Sequence, residues 1–331
     1  MHVEVVKKLR GNTHRLWADL LESCGLDIRF EPETTVLVWD GEILAATGSR
    51  RENLLGCIAV SEDYQGQGLT ATVLTQLRAD AFAAGQNHLF VYTKPGNRQM
   101  FTSLFFYPVA QTDRVLLLES VPNGIAGFID VLPKPCTSGN IGAAVMNCNP
   151  FTAGHRYLIE EASRECDWVY VFILSEDKSR FSAADRLEMA KLGTKDLPNV
   201  TVLPTGPYLI SSATFPTYFL KGENTGAIQC MLDVEIFTKQ FAPRFGITRR
   251  YVGTEPTCPV TAQYNEILAA ELPKSGISLH QLQRLSLEGR AVSASAVRDL
   301  LNSGCPEKAD KLLPQSTYQY LQEKNLLHKG G

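Results

Sequence analysis

The sequence lacks the features that would place it in several broad classes. Its eight cysteines, at 24, 57, 136, 148, 166, 230, 258 and 305, include no C-x-x-C pair, and none stands at metal-ligand spacing from a histidine. That scatter excludes the common zinc and dithiol motifs and reads as reduced thiols in a cytosolic protein. No run reaches the ~18 apolar residues that a membrane span requires. The first residues, MHVEVVKKLRGN, carry no apolar h-region, so no secretory signal is expected. An excess of charge of one sign is missing too. With 32 basic against 35 acidic residues the net charge is −3, which gives no electrostatic footprint for nucleic acid. What is present is the ordinary composition of a globular chain, 331 residues long and so long enough for two domains.

The most informative stretch runs from Ala143 to Ala162, AAVMNCNPFTAGHRYLIEEA. The apolar run Ala143–Met146 has the pattern of a buried strand. It ends in a polar elbow, Asn147-Cys148-Asn149-Pro150-Phe151, and Thr152-Ala153-Gly154-His155 then opens a segment with Leu158, Ile159 and Ala162 at helical spacing. Strand, tight turn and helix start make an anion site, because unpaired backbone N–H groups and the positive end of the helix dipole face the crevice. Gly154 is expected to let a phosphate approach the backbone. His155 is placed to offer it a hydrogen bond or a positive charge. For Cys148, in the elbow, packing is the expected role.

Upstream, residues 4–24 are expected to form a helix, although Gly11-Asn12 interrupts the pattern. Strands at 36–39 and 43–47 flank Asp40-Gly41, a hairpin signal, and 54–60 gives a third strand. Then come Gln65-Gly66-Gln67-Gly68-Leu69 and a helix with Leu69, Val73, Leu77 and Ala81 on one face. Exposed amides in such a loop suit a pyrophosphate. Together with strand 89–93, Asn97 and the aromatic segment 101–109, this arrangement resembles the GNAT acyltransferase family, whose loop amides hold the CoA pyrophosphate. No general base stands out; Glu62 is a candidate by position alone. Val115–Glu119 reads as an edge strand, and the proline- and glycine-rich stretches 121–124 and 132–140 as turns and linker, with a domain boundary at 137/138.

The second half alternates β and α patterns: strands near 168–174, 200–203, 247–252 and 277–282, and helices from Ser182, over 231–241 and over 264–270. Ser182 with Asp185 reads as a helix cap. The alternation predicts a doubly wound parallel sheet with ligands outside the strand C-termini. Near the end, Val292-Ser293-Ala294-Ser295-Ala296-Val297-Arg298 sets two hydroxyls and a guanidinium at a helix start, donors suited to a triphosphate.

Two motifs together carry a second resemblance. Thr152-Ala153-Gly154-His155 resembles the T/H-x-G-H motif of the nucleotidyltransferase superfamily, and Val292–Arg298 resembles its second motif, I-S-x-S/T-x-x-R, with valine in place of isoleucine. The K-M-S-K-S loop of class I aminoacyl-tRNA synthetases is absent. Over nearly its whole length the chain resembles the [citrate (pro-3S)-lyase] ligase family, through the GNAT-like first half, N-P-F-T-x-G-H-R-Y-L, S-E-D-x-S-x-F, Y-V-G-T-E-P and S-x-S-x-V-R.

The implied fold is α/β. A GNAT-like α+β domain over 1–137 precedes a Rossmann-like, HUP-type nucleotidyltransferase domain with a doubly wound parallel sheet over 138–331. The implied reaction is attack of acetate on the α-phosphorus of ATP, giving acetyl-adenylate and pyrophosphate. Acetyl then passes to the thiol arm, a dephospho-CoA derivative, of the citrate lyase acyl carrier subunit. His155, Thr152 and Arg298 are the expected catalytic residues. Asn149, Phe151, Gly154, Lys178, Arg180, Gly253, Glu255, Ser293 and Ser295 are the expected nucleotide contacts, with Glu255 beside the adenosine or the reacting carboxylate. Gln65, Gly66, Gln67, Gly68 and Leu69 are expected to hold the arm. Mg²⁺ is expected on the triphosphate, without a dedicated set of protein ligands. Neither a nucleic-acid nor a membrane partner is expected. The same two motifs leave open a stand-alone adenylylating nucleotidyltransferase acting on a phosphorylated vitamin, and a nucleotide-binding scaffold without turnover.

Overall fold

The computed structural model describes every residue except 136–137, 177–178, 210–214, 256–258, 288 and 328–331, with the side chains of 259, 260 and 290 also left aside. Contacts divide the chain into two units, Met1–Ile125 with Phe215–Leu232, and Ala126–Thr214 with Asp233–Gly331. The single expected cut at 137/138 thus differs from a division that returns one later segment to the first unit.

In the first unit a seven-stranded sheet has the order β1-β2-β3-β4-β5-β7-β6. Its start departs from the expected helix over 4–24. His2–Val6 is strand β1, paired antiparallel with β2 (Thr34–Asp40), and only Gly11–Ser23 is helical, as α1. Pairing across 30 residues outweighs the local pattern here, and Gly11 begins the helix instead of breaking it. The hairpin of β2 with β3 (Ile43–Arg51) turns through left-handed Gly41, and β4 is Leu54–Val60, as expected. Helix α2 (Leu69–Ala83) covers the sheet with Leu69, Val73, Leu74, Leu77 and Ala81.

Strands β5 (Phe90–Thr93) and β4 are parallel and pair through Leu54–Phe90 and Leu55–Val91. Beyond these pairs they part. Cys57 in β4 has φ +51, and β3 carries a register shift between Thr47 and Ser49 opposite it, so the strand bends away from its neighbour. After α3 (Arg98–Ser103) comes β6 (Tyr107–Gln111), and β7 (Leu116–Glu119) inserts between β5 and β6. The expectation of an edge strand at 115–119 is therefore corrected. Leu116, Leu117 and Leu118 are all fully buried, as befits a strand covered on both faces.

The second unit contains α4 from residue 126 of Gly124–Asp130, between the two stretches expected to be turns and linker. Its sheet has five strands, all parallel, in the order β10-β9-β8-β11-β12. They are β8 (Ile141–Met146), β9 (Trp168–Ile173), β10 (Val200–Pro204), β11 (Arg249–Gly253) and β12 (Ser278–Leu282). The order reverses at β8, and the crevice above its C-terminal end is where a doubly wound sheet places a ligand. Helix α5 (Ala153–Glu165) follows β8 and buries Leu158, Ile159 and Ala162, while α6 (Ala183–Thr194) follows β9. Ser182 caps α6, its Oγ accepting from the Asp185 amide at 3.1 Å, and Asp185 in turn accepts from the Tyr320 hydroxyl at 2.8 Å.

Helix α7 (Thr225–Ile236) runs through a π-helical turn, Phe237–Phe241, into α8 (Ala242–Phe245). Helix α9 spans Pro259–Glu271. A short hairpin, β13 (Ser286–Leu287) with β14 (Arg290–Ala291), leads into α10 (Ala294–Asn302). Helices α11 (Pro306–Asp310) and α12 (Gln315–Glu323), unforeseen in the sequence, close the chain. No helix among the described residues is long and apolar enough to cross a membrane.

Candidate active site

A cleft of about 550 Å³ lies over the C-terminal ends of β8, β11 and β12, between the starts of α5 and α10. Thr152, Gly154, His155, Gly253, Glu255, Ser293 and Ser295 all line it, although the chain separates the first from the last by 143 positions. The close approach of the two helix starts depends on Gly154. A Cβ there would stand 3.2 Å from the Val292 carbonyl oxygen, so Gly154 brings α5 against the strand leading into α10. Its open side faces protein backbone, which refines the expectation that it admits a phosphate.

Thr152 is the N-cap of α5 and forms a reciprocal box with His155. The Thr152 amide donates to His155 Nδ1 at 3.0 Å, the Thr152 hydroxyl lies 2.9 Å from the same nitrogen, and the His155 amide donates to that hydroxyl at 3.4 Å. A backbone N–H can only donate, so Nδ1 is the acceptor and the neutral ring carries its proton on Nε2. Burial, and then the charge of Arg284, push the His155 pKa down to about 4. At neutral pH the ring is thus an uncharged donor. Of the two options in the sequence reading, hydrogen bond or positive charge, the structure favours the first.

The same geometry changes the role of Thr152. Its side chain is 1% exposed and its hydroxyl serves the imidazole, so it orients His155 and is not a free donor to phosphate. Phe151 is wholly buried, stacked beside His155 with ring centroids 5.8 Å apart and packed where a Gly193 side chain would be. It packs against the His155 ring and is not among the residues that line the cleft. Asn149 is also buried, and Oδ1 accepts from the Phe181 amide at 3.3 Å. The Asn149 carbonyl accepts from Arg298 Nη1 at 2.6 Å, while Arg298 Nη2 donates to Ser295 Oγ at 3.0 Å. Asn149 is therefore a strut between the elbow and α10.

Ser293 caps α10 through the Ala296 amide at 3.1 Å. Arg180 bonds to Asn302, and its pKa is lowered by burial and then by the nearby Arg298 charge. Two guanidiniums that repel each other form a place where an anion is favourable. Lys178 lies outside the described residues. Gly253 lines the cleft, but a Cβ there would meet only ordinary contacts, so no special conformation explains it.

Glu255, expected beside the adenosine or the reacting carboxylate, lines the cleft with its carboxylate already engaged. Its side chain is 4% exposed and ion-paired to Arg284, which also donates from Nε to the Thr254 carbonyl at 2.8 Å. The sequence reading missed Arg284, a cation on the cleft wall just beyond β12. Its place past a strand C-terminus, in Gln283-Arg284-Leu285, is the signal that should have found it. Arg186 was missed as well. Completely buried, it donates to the carbonyls of Asn147 (2.9 Å), Leu174 (2.8 Å) and Phe181 (3.1 Å), bonds to the Glu176 carbonyl, and so ties together the loops after β8 and β9. Cys148 is buried in the core at left-handed φ, and burial pushes its thiol up, away from reactivity.

The first unit has its own pocket, about 510 Å³, where β4 and β5 part. Gln65, Gly66, Gly68 and Leu69 line it with Ile58, Val60, Thr93 and Lys94, while Gln67 turns back to the Asp63 carbonyl at 3.3 Å. Gly66 and Gly68 both have φ +77, with open space where a Cβ would be, so the loop needs glycine for its conformation and not for room. Glu62 is exposed and does not line the pocket. Tyr218 and Phe219, from the returning segment, close one end, with Tyr218 Oη donating to the Tyr92 carbonyl at 2.9 Å.

Comparison with known proteins agrees with this two-part reading. Residues 141–321 match the model of the citrate lyase ligase C-terminal domain, and 7–103 match the acetyltransferase (GNAT) family. The chain is 39% identical over 319 residues to the [citrate [pro-3S]-lyase] ligase of Escherichia coli strain K12, covering 94% of this chain and 90% of that one. It is 37% identical over 305 residues to the Klebsiella pneumoniae enzyme of the same name, covering 90% and 89%. With the Haemophilus influenzae enzyme it shares 37% identity over 292 residues, covering 86% and 87%. Such identity, held over both domains in this order, places the chain in the [citrate [pro-3S]-lyase] ligase family.

Proposed function

We propose that the chain activates acetate with ATP and acetylates the prosthetic thiol of the citrate lyase acyl carrier subunit. The observation that carries the chemistry is the Thr152–His155 box, which fixes a neutral Nε2–H donor at a cleft rimmed by two helix starts. Acetate oxygen attacks the α-phosphorus of ATP, the P–O bond to pyrophosphate breaks, and the electron pair leaves with the pyrophosphate. Negative charge grows on the bridging and equatorial oxygens as that bond opens. Fixed donors in a water-poor cleft stabilise it most where it develops. His155 Nε2–H serves the α-phosphate, and Arg298, Arg180 and Arg284 serve the β- and γ-phosphates, with Ser293 and Ser295 between them. The thiol then attacks the mixed anhydride and AMP departs.

Among the described residues no three His, Cys, Asp or Glu side chains gather to hold a metal. Mg²⁺ would be held through the triphosphate oxygens and would supply charge neutralisation there. The pocket of the first unit takes the dephospho-CoA-derived arm, with the pyrophosphate on the Gln65–Leu69 loop. In this reading that unit binds the arm and the second unit performs the activation.

Acetate-dependent exchange of labelled pyrophosphate into ATP tests the activation step, and acetylation of the carrier tests the transfer. Exchange should require acetate. Exchange that ignores acetate and responds to a phosphorylated vitamin would establish the adenylylating nucleotidyltransferase instead.

A further inference from the structure

Arg250 is the second residue of β11 and is 1% exposed, yet its Nε and Nη1 have no hydrogen-bond partner among the described residues. Its guanidinium carbon rests 4.3 Å from the Phe237 ring centroid. Cation–π contact covers one face of the group but satisfies no N–H, because those bonds point outward in the guanidinium plane. A buried cation with open donors is strongly unfavourable unless an anion completes it.

The surroundings say which anion. Asp233 on α7 is 7% exposed, and its Oδ2 accepts from the Tyr264 hydroxyl at 2.5 Å. Burial raises the Asp233 pKa, while the Tyr264 bond and the Arg250 charge lower it. Tyr264 and its neighbour Asn265 line the cleft described above, and Asn265 Nδ2 donates to the Gly253 carbonyl at 3.0 Å. The strand that carries Arg250 supplies Tyr251, Val252 and Gly253 to the same cleft. Phe237 opens the π-helical turn, an irregularity that often marks functional positions. One cation, with a carboxyl group in its field, suits a monoanion and not a polyphosphate. The cations suited to the polyphosphate are elsewhere, at Arg180, Arg284 and Arg298.

We infer that Arg250 binds the carboxylate of the short-chain acid substrate, with Tyr264 and Asp233 forming the wall that positions it. This assignment rests on the acid-activating reading of the cleft and names the residue that recognises the acid. A guanidinium–carboxylate contact is charge-assisted and directional, so it holds the second oxygen free to attack phosphorus.

Arg250→Met and Arg250→Lys test it in the full-length protein, by acetate-dependent ATP–pyrophosphate exchange and by thermal melting with and without acetate. In Arg250→Met the KM for acetate should rise about 100-fold, the loss of a charged hydrogen-bond contact, while the KM for ATP stays within about threefold. The unliganded variant should melt at or above the wild-type temperature, since an uncompensated buried charge has gone. Acetate should raise the melting temperature of the wild type and not of Arg250→Met. Arg250→Lys keeps the charge without the fork and should fall between them. An unchanged KM for acetate in Arg250→Met overturns the assignment. So does loss of folding in both variants, which makes the guanidinium a structural group. Wild-type protein with no acid-dependent exchange overturns the activation reading itself, whereas normal exchange in both variants removes this inference alone.

Discussion

Replacement of His155 separates the two tasks that one ring performs. Nδ1 holds the start of α5 by accepting from the Thr152 amide at 3.0 Å, and in the proposed reaction Nε2–H serves the α-phosphate. Alanine removes both. Loss of the box should cost about 1 kcal/mol of stability, the usual value of an N-terminal cap. Loss of a fixed donor to developing charge should lower kcat for exchange about 10²–10³-fold, or ~2.7–4 kcal/mol of barrier. Glutamine at this third helical position is a natural capping-box residue, whose carbonyl oxygen can take over from Nδ1. His155→Gln should therefore recover most of the melting temperature while its flexible amide recovers little of kcat.

The pH dependence follows with a definite sign. The folded pKa of about 4 lies below the ordinary value of 6.5, so the unfolded chain binds more protons between those limits. Stability from this group is complete above pH 6.5 and is lost as pH falls toward 4, by about 3 kcal/mol in all. Protonation puts a hydrogen on Nδ1 against the Thr152 amide, and kcat should fall over the acid limb near pH 4. Between pH 6 and 8 it should be flat with respect to His155. A kcat that rises as pH drops through 6.5 would mean an imidazolium donor and refute the tautomer reasoning, as would a His155→Ala enzyme within tenfold of wild type.

Gly66→Val with Gly68→Val forces a branched residue into φ +77 twice, at a cost above the ~1–2 kcal/mol of a left-handed residue each. Carrier acetylation should collapse with acetate-dependent exchange near normal; if both stay normal, the arm does not use this loop. Arg298→Ala breaks the bonds to the Asn149 carbonyl and Ser295, and should raise the KM for ATP and lower kcat together by one to two orders of magnitude, about 1.5–3 kcal/mol. Arg186→Met leaves the carbonyls of Asn147, Leu174 and Phe181 without this buried donor, and at up to ~1–3 kcal/mol each should lower the melting temperature steeply. Calorimetry of that variant checks the structural role of Arg186.

Local sequence determined much of the second unit, because its signals are short-range. The run Trp168–Ile173 is apolar throughout, the Ser182–Asp185 cap lies within one helical turn, and the alternation of strands and helices has few topologies open to it. The motif at Thr152–His155 was legible for the same reason: a capping box is written in four consecutive residues. Strand β1 was not legible, since its helix-compatible pattern is overruled by pairing with Thr34–Asp40, and β7 is internal because it inserts between two earlier strands, β5 and β6, which no local pattern announces.

Side-chain roles in the site divided along the same line. Sequence brought His155, Ser293 and Arg298 into view as donors, but the ionisation and tautomer of His155 came from burial and from Thr152. That the Glu255 carboxylate is paired with Arg284, 29 residues away, could not be read from either local segment. Arg250 reads as a commonplace strand residue beside Arg249, and only the closed interior leaves its guanidinium buried without a hydrogen-bond partner at Nε and Nη1 among the described residues. The sequence by itself determined which chemical groups were available and which elements would carry them. Tertiary structure decided which were charged, which were already paired and which faced the cleft, because desolvation and long-range contacts depend on residues distant in the chain.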